Sequence, residues 1–262
     1  MRIISWNVNG LRAVEKKGFL EWIHREEADI ICIQETKAHP EQLSEALLHP
    51  VDSKGREYHS YWASAKKRGY SGVGIYTLRK PREIRTLGIP EFDDEGRILI
   101  ADYEGFILLS AYFPNSQEGG ARLDYKLAFC DAVLSTCNRL VQEGHHVLLC
   151  GDYNIAHEPI DLARPEENEQ NPGYLPEERA WMTRFLGAGY VDTFRVRHPG
   201  EGGHYTWWSY RTRARERNIG WRIDYHCVNT AFAPQVRDSR IRSEIEGSDH
   251  CPIEIELEEG KL

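Results

Sequence analysis

Several short apolar runs in this 262-residue chain end in polar side chains whose types suit metal-assisted chemistry. Asn7 closes the run that starts at Arg2, Gln34 and Glu35 close a second, and Tyr112 with Pro114 and Asn115 closes a third. Asp152 and Asn154 follow the run from Val147 to Gly151, and Ser248, Asp249 and His250 lead into the last one. These groups are carboxylates and amides with one titratable imidazole. A carboxylate beside an amide suits Mg²⁺, which takes oxygen ligands, keeps several waters and needs only one or two carboxylates. Neither thiolates nor histidines cluster in the sequence to compete for the ion. The six cysteines form no CxxC pair, and no histidine stands at zinc-finger spacing,. Cys32, Cys150 and Cys227 lie inside apolar runs, while Cys130 and Cys137 share one helical face, as buried reduced thiols do in a reducing compartment.

Singly, each feature has a plainer reading. Asn7-Val8-Asn9-Gly10 also makes a turn, Glu35 a surface carboxylate or helix cap, Asp152-Tyr153-Asn154 an Asx-turn, and His250 a structural histidine. Their recurrence at one strand end after another is what favours chemistry.

The elements that must position these groups alternate between strand and helix. Arg2 to Asn7 reads as a strand, Ala13 to Arg25 as a helix and Ala28 to Gln34 as a buried strand, a β-α-β opening. Tyr58 to Ala63, Gly72 to Leu78, Arg97 to Tyr103 and Phe106 to Phe113 follow as strands with little helix between them. An amphipathic helix over Arg122 to Gln142 precedes a strand over His146 to Cys150. Pro176 to Leu186 is helical, with Pro176 in its first turn, and Tyr190 to Phe194, Trp221 to Val228 and Pro252 to Leu257 complete the strands. The two halves repeat a pattern of sheet plus flanking helices without a fixed-period sequence repeat. Two sheets packed face to face with helices outside is the layer solution this order favours.

Composition bounds the class. Hydrophobic residues make up 40% and charged residues 28%, and no Gly/Ser/Pro tract is long enough for a linker, so disorder and collagen-like repeats are excluded,. No apolar run reaches the roughly 18–20 residues of a membrane span, and no signal-peptide core follows Met1, which together predict a cytoplasmic protein. A net charge of −8 argues against a nucleic-acid partner, since binders usually carry a basic excess,. Its distribution argues the opposite. Residues 195–242 hold ten arginines and four acids, whereas residues 158–178 hold seven acids and one arginine. The −8 therefore averages unlike faces, and a binder of this kind makes fewer phosphate contacts than a uniformly basic one, with an affinity that falls as salt rises.

Seven segments occur in a telling order: Ser5-Trp6-Asn7-Val8-Asn9-Gly10-Leu11-Arg12, Ile33-Gln34-Glu35-Thr36-Lys37, Gly69-Tyr70-Ser71-Gly72-Val73, Tyr112-Phe113-Pro114-Asn115, Gly151-Asp152-Tyr153-Asn154, Trp221-Arg222-Ile223-Asp224-Tyr225 and Ser248-Asp249-His250-Cys251-Pro252. In these the chain resembles the exonuclease III class of apurinic/apyrimidinic (AP) endonucleases, in the endonuclease/exonuclease/phosphatase superfamily. The resemblance spans residues 5 to 252. It implies an α/β fold of the DNase-I-like kind, a four-layer sandwich of two packed mixed β-sheets flanked by helices, formed as one domain over residues 1–262. It further implies that Glu35 and Asn7 form the principal Mg²⁺ site, with Mn²⁺ as a substitute and Asp249 at its edge. Asp152 resembles the residue that orients or deprotonates the attacking water, and Asn154 holds the phosphate or a second metal position. His250 resembles the phosphate-contacting histidine, counted also among the metal-site residues, and Asp224 its carboxylate partner. Tyr112 resembles the active-site tyrosine proposed as phenolate nucleophile or as hydrogen-bond donor. The donor role is favoured, because a phenol of pKa about 10 needs a strong cationic field to ionise at neutral pH.

The stretch His204 to Tyr210, followed by the arginines at 211, 213, 215 and 217 and then Trp221-Arg222, alternates aromatic and cationic groups. Such a segment can stack on sugars or bases while guanidinium groups neutralise phosphates; the plainer reading is a Trp-rich core edge with a solvated arginine loop. In the resemblance, Trp207, Trp221 and Ile223 match the apolar pocket that receives a flipped-out abasic deoxyribose, whose extrusion costs least because it has no base to unstack. Tyr70 and Ser71, behind Lys66-Lys67-Arg68, fall on a further DNA-contacting rim. Two positions depart from the family. Ser116-Gln117-Glu118-Gly119-Gly120 stands where strong AP endonucleases carry a basic or bulky wedge, and Arg211 stands where others place an apolar one. The expected activity is Mg²⁺-dependent hydrolysis of the phosphodiester 5′ to an abasic site in duplex DNA, leaving a 3′-hydroxyl. Exonuclease and 3′-phosphodiesterase action on blocked ends come from the same site, and the expected state is a monomer. The alternatives are a phosphatase or phosphodiesterase of the same superfamily acting on a non-DNA phosphate, and a non-catalytic DNA-binding module.

Overall fold

A computed structural model describes residues 1–258. Its strands are β1 (Arg2–Asn7), β2 (Ile30–Gln34), β3 (His59–Ala63), β4 (Val73–Thr77), β5 (Glu83–Arg85), β6 (Ile98–Tyr103), β7 (Phe106–Tyr112), β8 (Val147–Asp152), β9 (Tyr190–Asp192), β10 (Asp224–Asn229), β11 (Val236–Ile241) and β12 (Ile253–Leu257). The helices are α1 (Leu11–Glu15), α2 (Phe19–Glu26), α3 (Glu45–Leu48), α4 (Pro90–Asp93), α5 (Leu123–Gln142), α6 (Pro165–Asn168) and α7 (Pro176–Gly187). One six-stranded sheet runs β11-β12-β1-β2-β4-β3 and the other β5-β6-β7-β8-β10-β9. Each has one parallel pair at its centre, β1 with β2 and β7 with β8, and antiparallel neighbours elsewhere. A helical crossover joins each parallel pair, as parallel strands require.

Three apolar layers hold the sandwich together. Ile3, Ile30, Cys32, Leu108, Leu148, Cys150, Val228 and Ile255 meet between the sheets. On one outer face Ile4, Trp6, Phe19, Trp22 and Ile23 bury the amphipathic side of α2, and on the other Leu109, Leu149, Phe129, Val133, Trp181 and Phe185 bury α5 and α7. The strands therefore read with period 2 into two different cores, which is why their sequences are apolar on both faces. All six cysteines are free and buried, and no helix among the described residues is long and apolar enough to cross a membrane.

The helix expected over Ala13 to Arg25 is two helices, broken at Gly18, whose φ of 91° is left-handed. The strand expected from Trp221 starts only at Asp224, because Trp221 turns aside to bridge Leu162 and Trp207. The strand expected to Phe194 stops at Asp192. Strand β11 was not foreseen: its sequence, Val-Arg-Asp-Ser-Arg-Ile, carries the charges that protect a sheet edge and so lacks an apolar signature,.

His226 on β10 is buried, neither ring nitrogen has a hydrogen-bond partner, and burial pulls its pKa down to about 3. Its folded value lies below the unfolded value of about 6.5, so stability is present above that pH and is lost as pH falls toward 3. The slope is about 1.4 kcal/mol per pH unit. His226→Leu removes this term: in urea unfolding between pH 6.5 and 5, the wild type loses that much more stability per unit than the variant. Parallel curves would show that the imidazole has a partner in solution.

Candidate active site

Alternation along the strands delivers the site. On β1, Ile3 faces the inter-sheet core and the same face continues through Ser5 to Asn7,. In β2 it runs from Ile30 and Cys32 to Gln34, in β7 from Leu108 through Ser110 to Tyr112, and in β8 from Leu148 and Cys150 to Asp152. Antiparallel β10 runs the opposite way, from Val228 through His226 to Asp224. All five faces change from apolar to polar toward the same end of the sandwich. Gln34 Nε2 donates to Ser5 Oγ at 3.0 Å on the neighbouring strand and to Ser110 Oγ at 3.3 Å in the opposite sheet, closing the floor beneath the site.

Above that floor the carboxylates gather. Asn7 Nδ2 donates to Asp152 Oδ2 at 2.8 Å and to Glu35 Oε1 at 3.3 Å, while Asn7 Oδ1 accepts the Asn9 amide at 2.9 Å. Asn7 thus presents its nitrogen, not its oxygen, to the two acids, and bridges them instead of facing them as an oxygen ligand. The Tyr112 hydroxyl donates to Glu35 Oε1 at 2.6 Å, and the Lys37 ammonium lies 2.8 Å from Glu35 Oε2. Burial raises the Glu35 carboxyl, but Lys37, the Tyr112 hydroxyl and His250 outweigh it and hold it below the usual carboxylate range. Asp249 is held low in the same sense, burial being outweighed by His250 and by donors from Trp207, Asn9 and Ser248. Burial and the Glu35 and Asp152 charges push the Tyr112 phenol well above its ordinary value, so it is a neutral donor.

The second half of the site is an acid–imidazole stack. His250 Nδ1 lies 2.8 Å from Asp224 Oδ2, and its Nε2 lies 3.8 Å from Asp152 Oδ2. Burial opposes the charged ring, but Asp224, Asp152 and Asp249 win and push His250 up to about 10. Charged at neutral pH, it is a cation facing Asp152,. Burial and the Asp224 charge push Asp152 up to about 7. Asn154 caps Asp152, its amide donating to Oδ1 at 2.8 Å and its Nδ2 to Phe113 O at 2.9 Å. Among the described residues, Asp152, Asp224 and His250 form one of two groups compact enough to hold an ion. The donors around Glu35, Asp152 and Asp249 are oxygens, with two carboxylates held ionised, which fits a hard cation and not a thiophilic one.

The backbone here is strained in a consistent way. Asn9, Glu35, Lys37, Ser71 and Asn154 all adopt φ between 48° and 51°, an αL conformation that costs non-glycine residues energy and clusters at functional sites,. Gly151 has φ of 136°, and a Cβ there would lie 1.9 Å from Ala111 O. Glycine is therefore required for β7 and β8 to approach where they present Tyr112 and Asp152.

Beside the carboxylates opens a cavity of 420 Å³ lined by Trp207, Trp221, Ile223, Gly173, Asn115 and Thr212, among others. The Trp207 and Trp221 rings meet edge to face at 6.1 Å, and Trp207 Nε1 donates to Asp249 Oδ2 at 3.0 Å, so one wall of the cavity is fastened to the acid cluster. Arg211 is exposed on the segment next to Thr212. Tyr70 is half-buried, its hydroxyl accepting from Arg97 at 2.8 Å and Arg122 at 2.7 Å, and Lys67 lies over its ring. Ser71 is enclosed, with its hydroxyl unpartnered and not presented to the surface as a DNA contact would require.

Fewer arginines are free than the basic stretch suggests. Arg222 lies buried between Asp161 and Asp192, Arg195 pairs with Asp161, Arg240 with Asp238, and Arg242 with Glu26 and Glu254. Arg215 donates to three main-chain carbonyls. Beside the cavity Arg211, Arg213 and Arg217 stay exposed, Arg213 lying 4.0 Å from Glu216; on the separate Lys66-Lys67-Arg68 edge, Lys66 pairs with Asp94 and Arg68 with Glu41. Reasoning from sequence also left out Lys37, two residues beyond Glu35, and Asn9, which accepts from Lys37 and donates to Asp249 at 2.9 Å. Both stand in the quoted segments, so the signal was there. Lys126 and Glu178 gave none: this fully buried pair, 2.6 Å apart, supports Asn154 through a bond from Lys126 Nζ to its carbonyl at 2.6 Å.

The model of the endonuclease/exonuclease/phosphatase family matches residues 4–250. An exodeoxyribonuclease of Bacillus subtilis is 46% identical over 257 residues, covering 97% of this chain and 98% of the relative. DNA repair nuclease APEX1 of Danio rerio is 42% identical over 262 residues, covering 98% of this chain and 82% of the relative. Among solved structures, AP endonuclease LMAP from Leishmania major superposes with a TM-score of 0.85 at 30% identity, covering 97% of this chain and 86% of that one.

Proposed function

The chain belongs to the endonuclease/exonuclease/phosphatase family and is a metal-dependent DNA repair nuclease; from that premise we propose that it hydrolyses, with Mg²⁺, the phosphodiester 5′ to an abasic site in duplex DNA. The observation that carries this reading is the 420 Å³ aromatic cavity tied to the acid cluster through Trp207 and Asp249. Trp207, Trp221 and Ile223 give this chamber an apolar wall, with Asn115, Arg164 and Asn171 among its polar lining, and a base-less sugar loses no stacking on leaving the duplex. The same site acts on blocked 3′ ends and as a 3′ to 5′ exonuclease. Residues 1–262 act as one domain, of which the last four lie outside the described residues, and the protein works as a cytoplasmic monomer.

Glu35 is the principal carboxylate for Mg²⁺, with Asp249 at its edge and Asn7 bridging to Asp152; Asp152 and Asn154 offer a second position, and Mn²⁺ can substitute. A Mg²⁺ ion held there would supply Lewis-acid polarisation of a phosphate oxygen. The protein's own groups do the rest. His250, charged and fixed by Asp224, donates from Nε2 to a non-bridging oxygen and stabilises the charge that builds up in the transition state. Asp152 takes the proton of the attacking water as it adds to phosphorus. The P–O3′ bond breaks, and the departing 3′ oxygen takes up a proton from solvent water to become the 3′-hydroxyl. Tyr112, a neutral phenol, orients Glu35 by donation. Tyr70 and the exposed Arg211 bracket the DNA, while Trp207, Trp221 and Ile223 enclose the abasic sugar.

A 5′-labelled duplex with one tetrahydrofuran abasic analogue tests this reading. The expected product is a single fragment ending just 5′ to the analogue, whose 3′ end a polymerase extends. Equal cutting at undamaged internal positions, or a 3′ end that resists extension, would overturn the assignment.

A further inference from the structure

The second compact group of potential ligands lies outside the acid cluster. His198, Glu201 and His204 project from the bend after β9, and their ligand atoms all lie within 4.8 Å of one another. The spacing His198-x-x-Glu201-x-x-His204 matches no zinc-finger pattern and falls in a Gly-rich, non-helical stretch, so no cluster is legible in the sequence. Here Gly200 and Gly203 take φ of 73° and 80°. Glu201 Oε2 is 3.0 Å from His198 Nδ1 and 3.3 Å from His204 Nε2. Donors on a tetrahedral ion with bonds of about 2.0–2.1 Å stand about 3.3 Å apart, so the carboxylate is already spaced from both imidazoles as such an ion requires.

The bend is fixed from behind. Arg195 donates from one guanidinium nitrogen to the carbonyls of His198 (3.0 Å) and Glu201 (2.8 Å), and from another to Asp161 Oδ1 (2.6 Å). The Phe194 ring stacks on His198 at 4.4 Å and meets His204 at 5.4 Å. These contacts fix the main chain and the rings that carry the three side chains. Both histidines also line a cavity of 590 Å³, whose other walls carry Arg2, Arg240 and Arg242, each paired with Glu254.

We propose that His198, Glu201 and His204 bind a borderline divalent transition metal, Zn²⁺ or an ion of similar preference, at a site separate from the oxygen-rich centre. Two imidazoles and one carboxylate select such ions over Mg²⁺, which prefers oxygen alone.

Co²⁺ reports the site directly, because tetrahedral Co²⁺ absorbs visible light far more strongly than the octahedral ion an all-oxygen centre holds. The intact protein is titrated with Co²⁺ in saturating Mg²⁺. An intense band that saturates at one Co²⁺ per chain and is bleached by Zn²⁺ is expected for the wild type and for Glu35→Ala. The band is lost in His198→Gln/His204→Gln and weakened in Glu201→Gln, which keeps both rings and their packing. No intense band in the wild type, a band abolished by Glu35→Ala, or one unchanged in the double histidine variant would overturn the proposal.

Discussion

Asp152→Asn lowers incision of an abasic duplex by about 10²–10⁴-fold, the range expected when a positioned general base is removed, while leaving folding intact. The substitution keeps the size and hydrogen-bonding reach of a residue only 1% exposed. Asn7 Nδ2, now a donor at 2.8 Å, can still find an amide oxygen there. What disappears is the negative charge beside His250 and the basic oxygen. Because burial and Asp224 push Asp152 up to about 7, it can accept a proton near neutral pH, which an amide cannot do. Single-turnover rates at saturating enzyme separate this loss from weaker DNA binding. The expected result is a slow step with near-normal duplex affinity; a rate within about threefold of wild type would remove Asp152 from the proton-accepting role.

Glu178→Ala is the substitution with the largest expected effect on stability. Glu178 and Lys126 are both fully buried and 2.6 Å apart. Glu178 Oε2 also accepts from the amides of Gly173 (2.7 Å) and Leu175 (2.9 Å), and Ser116 donates to its other oxygen. Removing the carboxylate strands a buried ammonium and two amides at once. Breaking one partner of such a pair costs about 3–5 kcal/mol. Urea unfolding reads that loss, and Lys126→Met/Glu178→Ala recovers only the part due to the stranded charge, since the amides stay unpaired. A functional effect accompanies it. Lys126 holds the carbonyl of Asn154 and Gly173 lines the aromatic cavity, so abasic incision falls even where the variant is folded. A cost under about 1 kcal/mol would mean that the pair is hydrated in solution.

How far the site could be read from sequence follows from alternation. Ile3, Ser5 and Asn7 lie on one face of a strand wherever that strand sits, and the same holds for Cys150 and Asp152 or Ser110 and Tyr112. The convergence of strand-end polar groups was therefore legible before the sheets were known, as was the four-layer sandwich. Side-chain orientation was not. Whether Asn7 offers oxygen or nitrogen to its neighbours depends on Asn9, whose left-handed backbone turns its amide back onto Asn7 Oδ1. Charge partners were equally hidden: Arg222 reads as part of a basic run, yet Asp161 and Asp192, distant in sequence, enclose it. Strand β11 escaped notice because edge protection requires the charges that mask a strand pattern. Helices α1 and α2 read as one in the sequence because apolar spacing carries across the break, where α1 ends at Glu15 and the left-handed Gly18 opens α2.

The dependence of abasic incision on Mg²⁺, compared between wild type and Glu35→Ala, tests the central claim most directly. Glu35 is held ionised by Lys37 and the Tyr112 hydroxyl, as the principal hard-cation ligand proposed above must be. With EDTA the wild type leaves the tetrahydrofuran duplex uncut, and added Mg²⁺ restores a single incision. In Glu35→Ala the Mg²⁺ concentration for half-maximal rate rises by about tenfold or more, roughly 1.4 kcal/mol of lost binding. Incision that persists in EDTA, or superimposable Mg²⁺ curves for the two proteins, would contradict the account.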